Sequence, residues 1–220
     1  MADTLTHDDK AAIRACFNCS AQAADRLTAE MAVRSAPHRG TVALAGDEAT
    51  QLLFVVEGAV CAELFGIDGQ QAQLARHGPG EVFGAYPAET VYRANMTAVG
   101  QTRLLFIPTR KLRVLAAEDG EIANGIAELL ARQLDLVLDR MAARIGLSAT
   151  GRFYRALLML ADDEGTIRPA PVVAAMALSV HTTRETGSRA LATLLRRGIA
   201  ERLPDGLRIV SRRMLEDLVV

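Results

Sequence analysis

The chain has 220 residues, of which half are hydrophobic, and a formal net charge of −1. This length accommodates two domains of modest size. No apolar run approaches the roughly 20 residues that a membrane-spanning helix needs, and the polar, acidic start of the sequence is unlike a signal peptide. We therefore expect a cytoplasmic protein without a membrane segment.

The charge is unevenly distributed along the chain. Residues 147–220 contain 11 Arg, no Lys and 8 acidic residues, a net charge of +3, which leaves −4 for the residues before them. Arginine carries a planar fork of donors that suits both phosphate and guanine. The small basic excess is consistent with a nucleic-acid partner for the C-terminal part, although it does not establish one.

The first third of the chain changes from a helical pattern to a β pattern. Residues 8–32 have apolar residues at helical spacing and predict two short helices with a break near residues 18–20. Residues 32–107 have short apolar runs separated by frequent Gly and Pro, which predicts an all-β barrel or sandwich. We expect a hairpin of residues 51–56 and 59–65, a strand at 71–75, and a last strand at 103–107 closed by Pro108. A β-roll of this kind can hold a small ligand.

A long amphipathic helix follows, with a break near Gly120. The side of this helix opposite its apolar residues carries Asp135, Asp139 and Arg140. The apolar residues recur at spacings of three and four, and we call them the apolar stripe. Either the same helix of a second copy covers this stripe as a short coiled coil, or the β domain of the same chain does. The apolar stripe consists of Ile126, Leu130, Leu134, Val137, Met141 and Ile145.

The C-terminal part has the pattern of a helix-turn-helix. Residues 171–177 predict a short apolar helix and residues 178–181 a tight connection to a second helix. Thr182 and Glu185 have the spacing of a capping box, so the second helix should begin at Thr183. Its buried face should contain Ala190, Leu191, Leu194 and Leu195. Its exposed first turns should carry Arg184, Glu185, Ser188 and Arg189, either as groups that read a major groove or as ordinary solvated charges.

The flanking segments favour the DNA-reading alternative. Gly198 suits a left-handed helix cap, and residues 199–203 and 207–210 read as two strands joined by turn residues 204–206. This hairpin would be the wing of a winged helix, with Arg202 and Arg208 in reach of phosphates. Upstream, residues 146–151 predict a hinge and residues 152–161 a helix with Ala156, Leu157 and Leu160 facing inward.

This arrangement resembles the CRP/FNR family of bacterial transcription regulators. Residues 42–47, 53–58 and 78–84 are similar, in order, to the turns of that family's β-roll, and residues 184–189 are similar to its recognition-helix motif. The resemblance implies an α+β protein with three parts. These are N-terminal helices plus a jelly-roll sensor domain (1–108), a long dimerisation helix and hinge (109–146), and a C-terminal winged helix-turn-helix (147–220).

The resemblance also implies a partner and a mode of binding. A homodimer would bind double-stranded DNA at a near-palindromic operator, with half-sites about one helical turn apart, and activation would require contact with RNA polymerase. Arg184, Glu185 and Arg189 would contact bases, and Ser188 would add specificity. Thr182 and Thr183, at the helix start, belong to the same predicted DNA-binding set. The departure is Gly187, where the family more often has Val or Ile, and Gly costs up to about 1 kcal/mol of helix propensity.

The effector is the least determined feature. Family members that bind a cyclic nucleotide hold the ribose with an acid and the cyclic phosphate with an Arg. In the matching stretch here Ala85 replaces the acid, Arg93 remains as a candidate for an anion, and Glu89 could substitute for the missing acid. On the long helix the matching turn lacks the hydroxyls that touch the base in cAMP-sensing members. We therefore predict an effector other than cAMP, or none, and assign the effector pocket to Gly84, Ala85, Arg93, Ala94, Val137 and Leu138.

Other cofactors and an enzymatic function fit the sequence poorly. Cys16, Cys19 and Cys61 are one short of the four thiolates that an iron–sulfur cluster normally requires. We expect buried or free reduced thiols, with a redox pair of Cys16 and Cys19 as the alternative. His77, beside a Gly-Pro turn, predicts an exposed loop histidine and not a haem ligand. We expect no metal site and no catalytic residues. A cupin-like metalloenzyme with an appended interaction domain is the alternative, and the β region lacks the His-x-His pair that it would need.

Overall fold

The computed structural model of the protein describes residues 5–65 and 71–220. The chain divides into two compact units, one ending at Leu136 and the other comprising Val137–Val220. The boundary lies within a long helix.

The first unit opens with two helices, α1 (His7–Phe17) and α2 (Ala21–Ala29). Thr6 and Asp9 form a capping box at the start of α1, and Ser20 caps α2 with its side chain. Asn18 ends α1 in the left-handed conformation, with φ of 47°. Asparagine is one of the few residue types that adopt this conformation readily. The predicted pair of helices with a break near residues 18–20 is confirmed.

In the described residues, eight strands form the β-roll that follows. Six of them make one sheet, in which β1, β8, β4 and β5 are neighbours in that order, while β2 pairs with β8 and β6 with β4. The other two, β3 and β7, pair with each other. The strands are β1 (Ala32–Ala36), β2 (Thr41–Ala43), β3 (Glu48–Ala49), β4 (Gln51–Phe65), β5 (Gln71–His77), β6 (Val82–Gly84), β7 (Thr90–Val91) and β8 (Asn95–Pro108).

Alternation along β4 separates two cores. Leu52 and Phe54 face a cluster that includes the helices, whereas Leu53 and Val55 face the interior of the roll. Successive side chains of a strand point to opposite faces of its sheet, so a continuous apolar run serves both cores. This is why the sequence in this region shows continuous apolar runs instead of a regular alternation of apolar and polar residues.

The predicted hairpin within residues 51–65 is wrong, because these residues form the single strand β4. The predicted turn at Gly58 is instead a point of close approach to β8. Gly58 has φ of +73°, and a Cβ there would lie 2.4 Å from the Gln101 carbonyl oxygen. Glycine accepts this geometry without ending the strand. Likewise the predicted last strand at 103–107 is only the second half of β8, whereas the predicted strand at 71–75 is confirmed within β5.

Two helices close the first unit and lead into the second. Helix α3 (Thr109–Glu118) is separated from α4 (Gly120–Gly146) by the single residue Asp119. The predicted break near Gly120 is confirmed. Ile122, Ile126 and Leu129 of α4 are buried in the cluster shared with α1, α2 and the sheet. The remaining apolar stripe is exposed: Leu130 37%, Leu134 58%, Val137 45%, Met141 54% and Ile145 84%. Within the first unit, the core therefore covers Ile126 of the stripe and leaves Leu130 and Leu134 exposed.

The second unit is a small helical domain with a three-stranded sheet of order β10, β11, β9. Phe153, Tyr154 and Leu157 of α5 are buried in its core, whereas Leu160, expected to face inward, is 54% exposed. The helix ends at Leu160, so that residue lies past the last turn that the core covers. The elements are α5 (Ala149–Leu160), β9 (Thr166–Ile167), α6 (Val173–Ser179), α7 (Arg184–Arg196), β10 (Ala200–Leu203), β11 (Gly206–Ile209) and α8 (Arg212–Glu216).

Among the described residues, no helix combines the length and the apolar character that crossing a membrane would require.

Candidate nucleic-acid interface

The start of α7 differs by one residue from the prediction. Thr183, not Thr182, is the N-cap: its hydroxyl accepts the backbone N–H of Thr186 at 3.1 Å, and α7 begins at Arg184. The residue three positions after this cap is Thr186, so the proposed pairing of Thr182 with Glu185 does not form. Thr182 instead donates its backbone N–H to the Ala177 carbonyl at 2.9 Å, within the turn.

The side chains predicted to read DNA lie on the exposed side of α7. Arg184, Glu185, Ser188 and Arg189 are all exposed, while Ala190, Leu191 and Leu194 are buried and Leu195 is partly buried. Glu185 and Arg189 face each other across one turn, 3.4 Å apart, with side chains 76% and 72% exposed. An ion pair this exposed contributes little to stability, so both groups can turn to another partner at small cost.

Gly187 lies on the buried side of α7, against α5 and α6. A Cβ at this position would lie 2.8 Å from Phe153 Cε2 and 3.2 Å from Val173 Cγ1. Phe153 is fully buried. The aromatic ring thus occupies the space of the missing side chain, and the departure from the family motif leaves no void in the core.

The predicted wing is present and is larger than expected. Strands β10 and β11 pair with Leu203 opposite Gly206, and β9, which the sequence did not predict, pairs with the outer edge of β11. Arg202 is exposed on β10, and Arg208 lies 3.6 Å from Glu201 across the hairpin. Gly198 has φ of +67° and ends α7 as predicted.

The turn between α6 and α7 is fastened by a residue that sequence reasoning missed. His181 adopts φ of 54°, which is uncommon for a residue with a side chain. Arg152, on α5, donates to the backbone carbonyls of Val180 and His181 at 2.8 and 3.0 Å. No sequence pattern signals this contact, because its acceptors are main-chain oxygens 28 and 29 residues away.

Comparisons with known proteins agree with this geometry. The profile of the cyclic nucleotide-binding domain family matches residues 33–119. The "Cyclic AMP receptor protein" of Thermus thermophilus is 31% identical over 179 residues, covering 79% of this chain and 81% of its own. The chain belongs to the CRP/FNR family of transcription regulators.

Two solved structures share the fold. FixK2 from Bradyrhizobium japonicum superposes with a TM-score of 0.74 at 23% identity, covering 86% of this chain and 98% of that one. The c-di-GMP responsive regulator CLP from Xanthomonas campestris gives a TM-score of 0.72 at 21% identity, covering 87% and 100%. These likenesses confirm the CRP/FNR architecture of a jelly-roll plus helices.

Ala85, which the family resemblance places at the position of the ribose-binding acid, is a buried residue of the first unit. Ala85 is 1% exposed, its N–H donates to the Gln51 carbonyl at 2.8 Å, and its carbonyl accepts the Thr109 hydroxyl at 2.7 Å. Both main-chain groups are thus hydrogen-bonded, one to β4 and the other to the first residue of α3, and no carboxylate stands at this position. Gly84, just before it, packs equally closely, since a Cβ there would lie 2.2 Å from the Gln51 carbonyl oxygen.

The other predicted effector residues differ in burial and belong to different units of the chain. Ala94 is buried in the interior of the roll and Arg93 is exposed. Glu89, the candidate substitute for the missing acid, instead accepts from Arg110 at 2.9 Å. Val137 and Leu138 lie on the part of α4 that belongs to the second unit, and they are 45% and 53% exposed.

The three cysteines are buried free thiols. Cys16 and Cys19 lie at the junction of α1 and α2, and the Cys16 thiol donates to the Gly80 carbonyl at 3.2 Å. Burial raises the pKa of Cys16 to about 11, and it raises the pKa of Cys19 and of Cys61 as well. In the described part of the chain, no three His, Cys, Asp or Glu side chains come together where a metal ion could bind.

His77 is not the exposed loop residue that the sequence predicts. It is the last residue of β5, its side chain is only 18% exposed, and its Nδ1 lies 3.7 Å from a Glu81 carboxylate oxygen. Its ring is tilted against that of Phe83, with 5.4 Å between centroids. The Gly-Pro turn begins one residue later, so His77 still lies within the sheet, opposite Val60 of β4.

Proposed function

We propose that this chain is a homodimeric CRP/FNR regulator that reads duplex DNA with the first turns of α7. The observation that carries the proposal is that Arg184, Glu185 and Arg189 are exposed at the start of the capped helix α7. This helix belongs to a helix-turn-helix that is followed by a wing. Arg184 and Arg189 can match the paired acceptors of guanine, and Glu185 can accept from the amino group of cytosine. Arg202 and Arg208 on the wing would contact phosphates and fix the register.

The exposed remainder of the apolar stripe supports the homodimer. Five of its six residues are at least 37% exposed on one helix, and their spacings of three and four residues suit a two-stranded coiled coil. Two winged helices held by this contact would enter successive major grooves, so the operator should be near-palindromic with half-sites about one helical turn apart.

We further propose that cAMP is not the effector, even though the sequence matches the cyclic nucleotide-binding domain. The position of the ribose-binding acid is a buried alanine, and Glu89 is engaged by Arg110. The Xanthomonas regulator of the same fold is described as responsive to c-di-GMP, so the fold is not tied to one ligand. An unidentified effector would bias the dimer between two states. The alternative is a regulator that binds DNA without any ligand.

Selection of bound DNA from a random pool, with no effector added, tests DNA reading. Replacing Glu185 or Arg189 by Ala should then lower affinity for the selected operator by roughly 1–3 kcal/mol per half-site. Glu185→Ala is the sharper test, because removal of an acid would tighten a purely electrostatic complex. Arg196→Ala, at the far end of α7, is the charge-matched control for Arg189→Ala. Equal losses for these two Arg variants would contradict base reading by the start of α7.

The effector proposal has a separate test. Titration calorimetry with cAMP should show no binding at concentrations where a cyclic-nucleotide receptor saturates. Tight binding that Arg93→Ala abolishes would overturn the proposal. Comparing the DNA affinity of protein stripped of small molecules with that of untreated protein then separates an effector-dependent regulator from a ligand-independent one.

A further inference from the structure

The Arg152 guanidinium connects two segments of the second unit that are distant in sequence. Its Nη1 donates to the Leu147 carbonyl at 3.0 Å, just after α4 ends. Its Nε and Nη2 donate to Val180 and His181, in the turn that leads into α7. A single planar group thus joins the α4–α5 junction to the turn of the helix-turn-helix.

The three acceptors are suited to a cation. The Val180 carbonyl follows the last residue of α6, where helix carbonyls lack internal partners and carry partial negative charge. His181 has positive φ, and Thr183, which caps α7, follows two residues later. The direction in which α7 leaves this turn is therefore set by the residues whose carbonyls Arg152 holds.

From this geometry we infer that Arg152 is a positioning residue for DNA reading, which fixes the start of α7 relative to the α4–α5 junction without touching DNA. The inference rests on the proposed function, because it takes α7 as the reading helix. Lysine cannot replace the residue fully, since its ammonium is a point charge and lacks the rigid fork that spans three separate acceptors.

His181 supplies an independent readout of this contact. Burial lowers its pKa, and the charges of Arg144 and Arg152 lower it further. If the side chain at position 152 lost contact with the turn, its repulsion of protonated His181 would weaken and the pKa of His181 would rise. An NMR titration of His181 thus reports on the placement of Arg152 whether or not DNA is present.

The test compares Arg152→Met with Arg155→Met in the full chain. Arg155 lies on the same helix α5 and carries the same charge. Both variants therefore lose one positive charge and the attraction to DNA that this charge supplies. We expect Arg152→Met to lower operator affinity by at least about tenfold, the factor that corresponds to roughly one charged hydrogen bond. Binding to unrelated DNA should change equally in the two variants. Equal losses of operator affinity would show that Arg152 acts only through its charge and would overturn the inference.

A milder pair covers the case in which Arg152→Met fails to fold. Arg152→Lys and Arg155→Lys both keep the charge, and amide hydrogen exchange of residues 178–186 then measures the turn directly. Faster exchange in Arg152→Lys alone, with a raised pKa of His181, supports the inference, whereas identical exchange and titration in the two variants refute it. If the parent chain selects no DNA sequence, the proposed function fails, but these two measurements still decide whether Arg152 holds the turn.

Discussion

The contact between Gly187 and Phe153 predicts that a family-typical side chain at position 187 will not fit this protein. We consider Gly187→Val. Its Cβ would lie 2.8 Å from Phe153 Cε2 and 3.2 Å from Val173 Cγ1, closer than carbon atoms pack. Because Phe153 has no exposed surface, its ring cannot turn out to solvent. Either the ring or α7 must move.

The magnitude follows from two opposing effects. Leaving Gly gains at most about 1 kcal/mol of helix propensity, and less for a β-branched residue. Overpacking a well-filled core costs about 1–3 kcal/mol. For Gly187→Ala the two nearly cancel. For Gly187→Val, which adds two further methyl groups at the same crowded place, we expect a net loss of about 2 kcal/mol in the stability of α7, together with weaker operator binding.

Urea-dependent hydrogen exchange of the α7 amides provides the assay, because it measures local opening and does not require the whole two-unit chain to unfold in one step. Phe153→Leu should relieve the clash, so the double variant should be more stable than the sum of the single effects predicts, by about 0.5–3 kcal/mol. Ser188→Val, on the exposed side of the same helix, is the control. If Gly187→Val is as stable as Ser188→Val, or if the coupling with Phe153→Leu is zero, the packing argument is refuted.

The exposed apolar stripe, one buried carboxylate and one buried thiol give the remaining predictions. Leu134→Glu should convert a dimer to monomers in light scattering, while Arg140→Gln, which changes the net charge equally on the far side of α4, should leave the dimer intact. A parent chain that is already monomeric would contradict the dimer. Burial by itself would raise the pKa of Asp9, but hydrogen bonds to its carboxylate, chiefly from Arg103, outweigh it and lower that pKa. The folded state therefore binds this proton less tightly than the unfolded chain, so Asp9 stabilises the first unit above about pH 4 and the contribution is lost as pH falls further. Asp9→Asn should flatten the acid side of the curve of unfolding midpoint against pH, and an unchanged curve would count against the ion pair. Since the thiolate is the reactive form and burial raises the pKa of Cys16 to about 11, alkylation of Cys16 at pH 8, followed by peptide mass spectrometry, should be slow until urea is added.

Local patterns predicted much of the C-terminal unit. The apolar spacing of α7, the glycine that ends it and the turn of the wing each depend on a few neighbouring residues, and the structure contains all three. The one-residue error at the start of α7 arose because Thr182 and Thr183 are both good caps. The choice between them depends on the backbone of the preceding turn, where His181 has positive φ and Arg152, remote in sequence, holds two carbonyls.

The β-roll was harder to read locally. Glu57 and Gly58 have turn chemistry, but in β4 the strand passes through them because β8 bulges alongside. His77 has the sequence surroundings of a loop residue, but it ends strand β5, opposite Val60 of β4, and its ring packs against Phe83. In both cases the strand that pairs alongside is remote in sequence, and no short window of neighbouring residues contains it.

The sequence by itself determined the order of the main parts of the chain, the family and the side chains that α7 presents to solvent, because periodicity and capping act over a few residues. Only the tertiary structure decided that Phe153 fills the place left open by Gly187, that Glu89 is held by Arg110, and that Arg152 fastens the turn before α7. Each of these depends on distances between residues at least 20 positions apart, and such distances are fixed only when the chain packs.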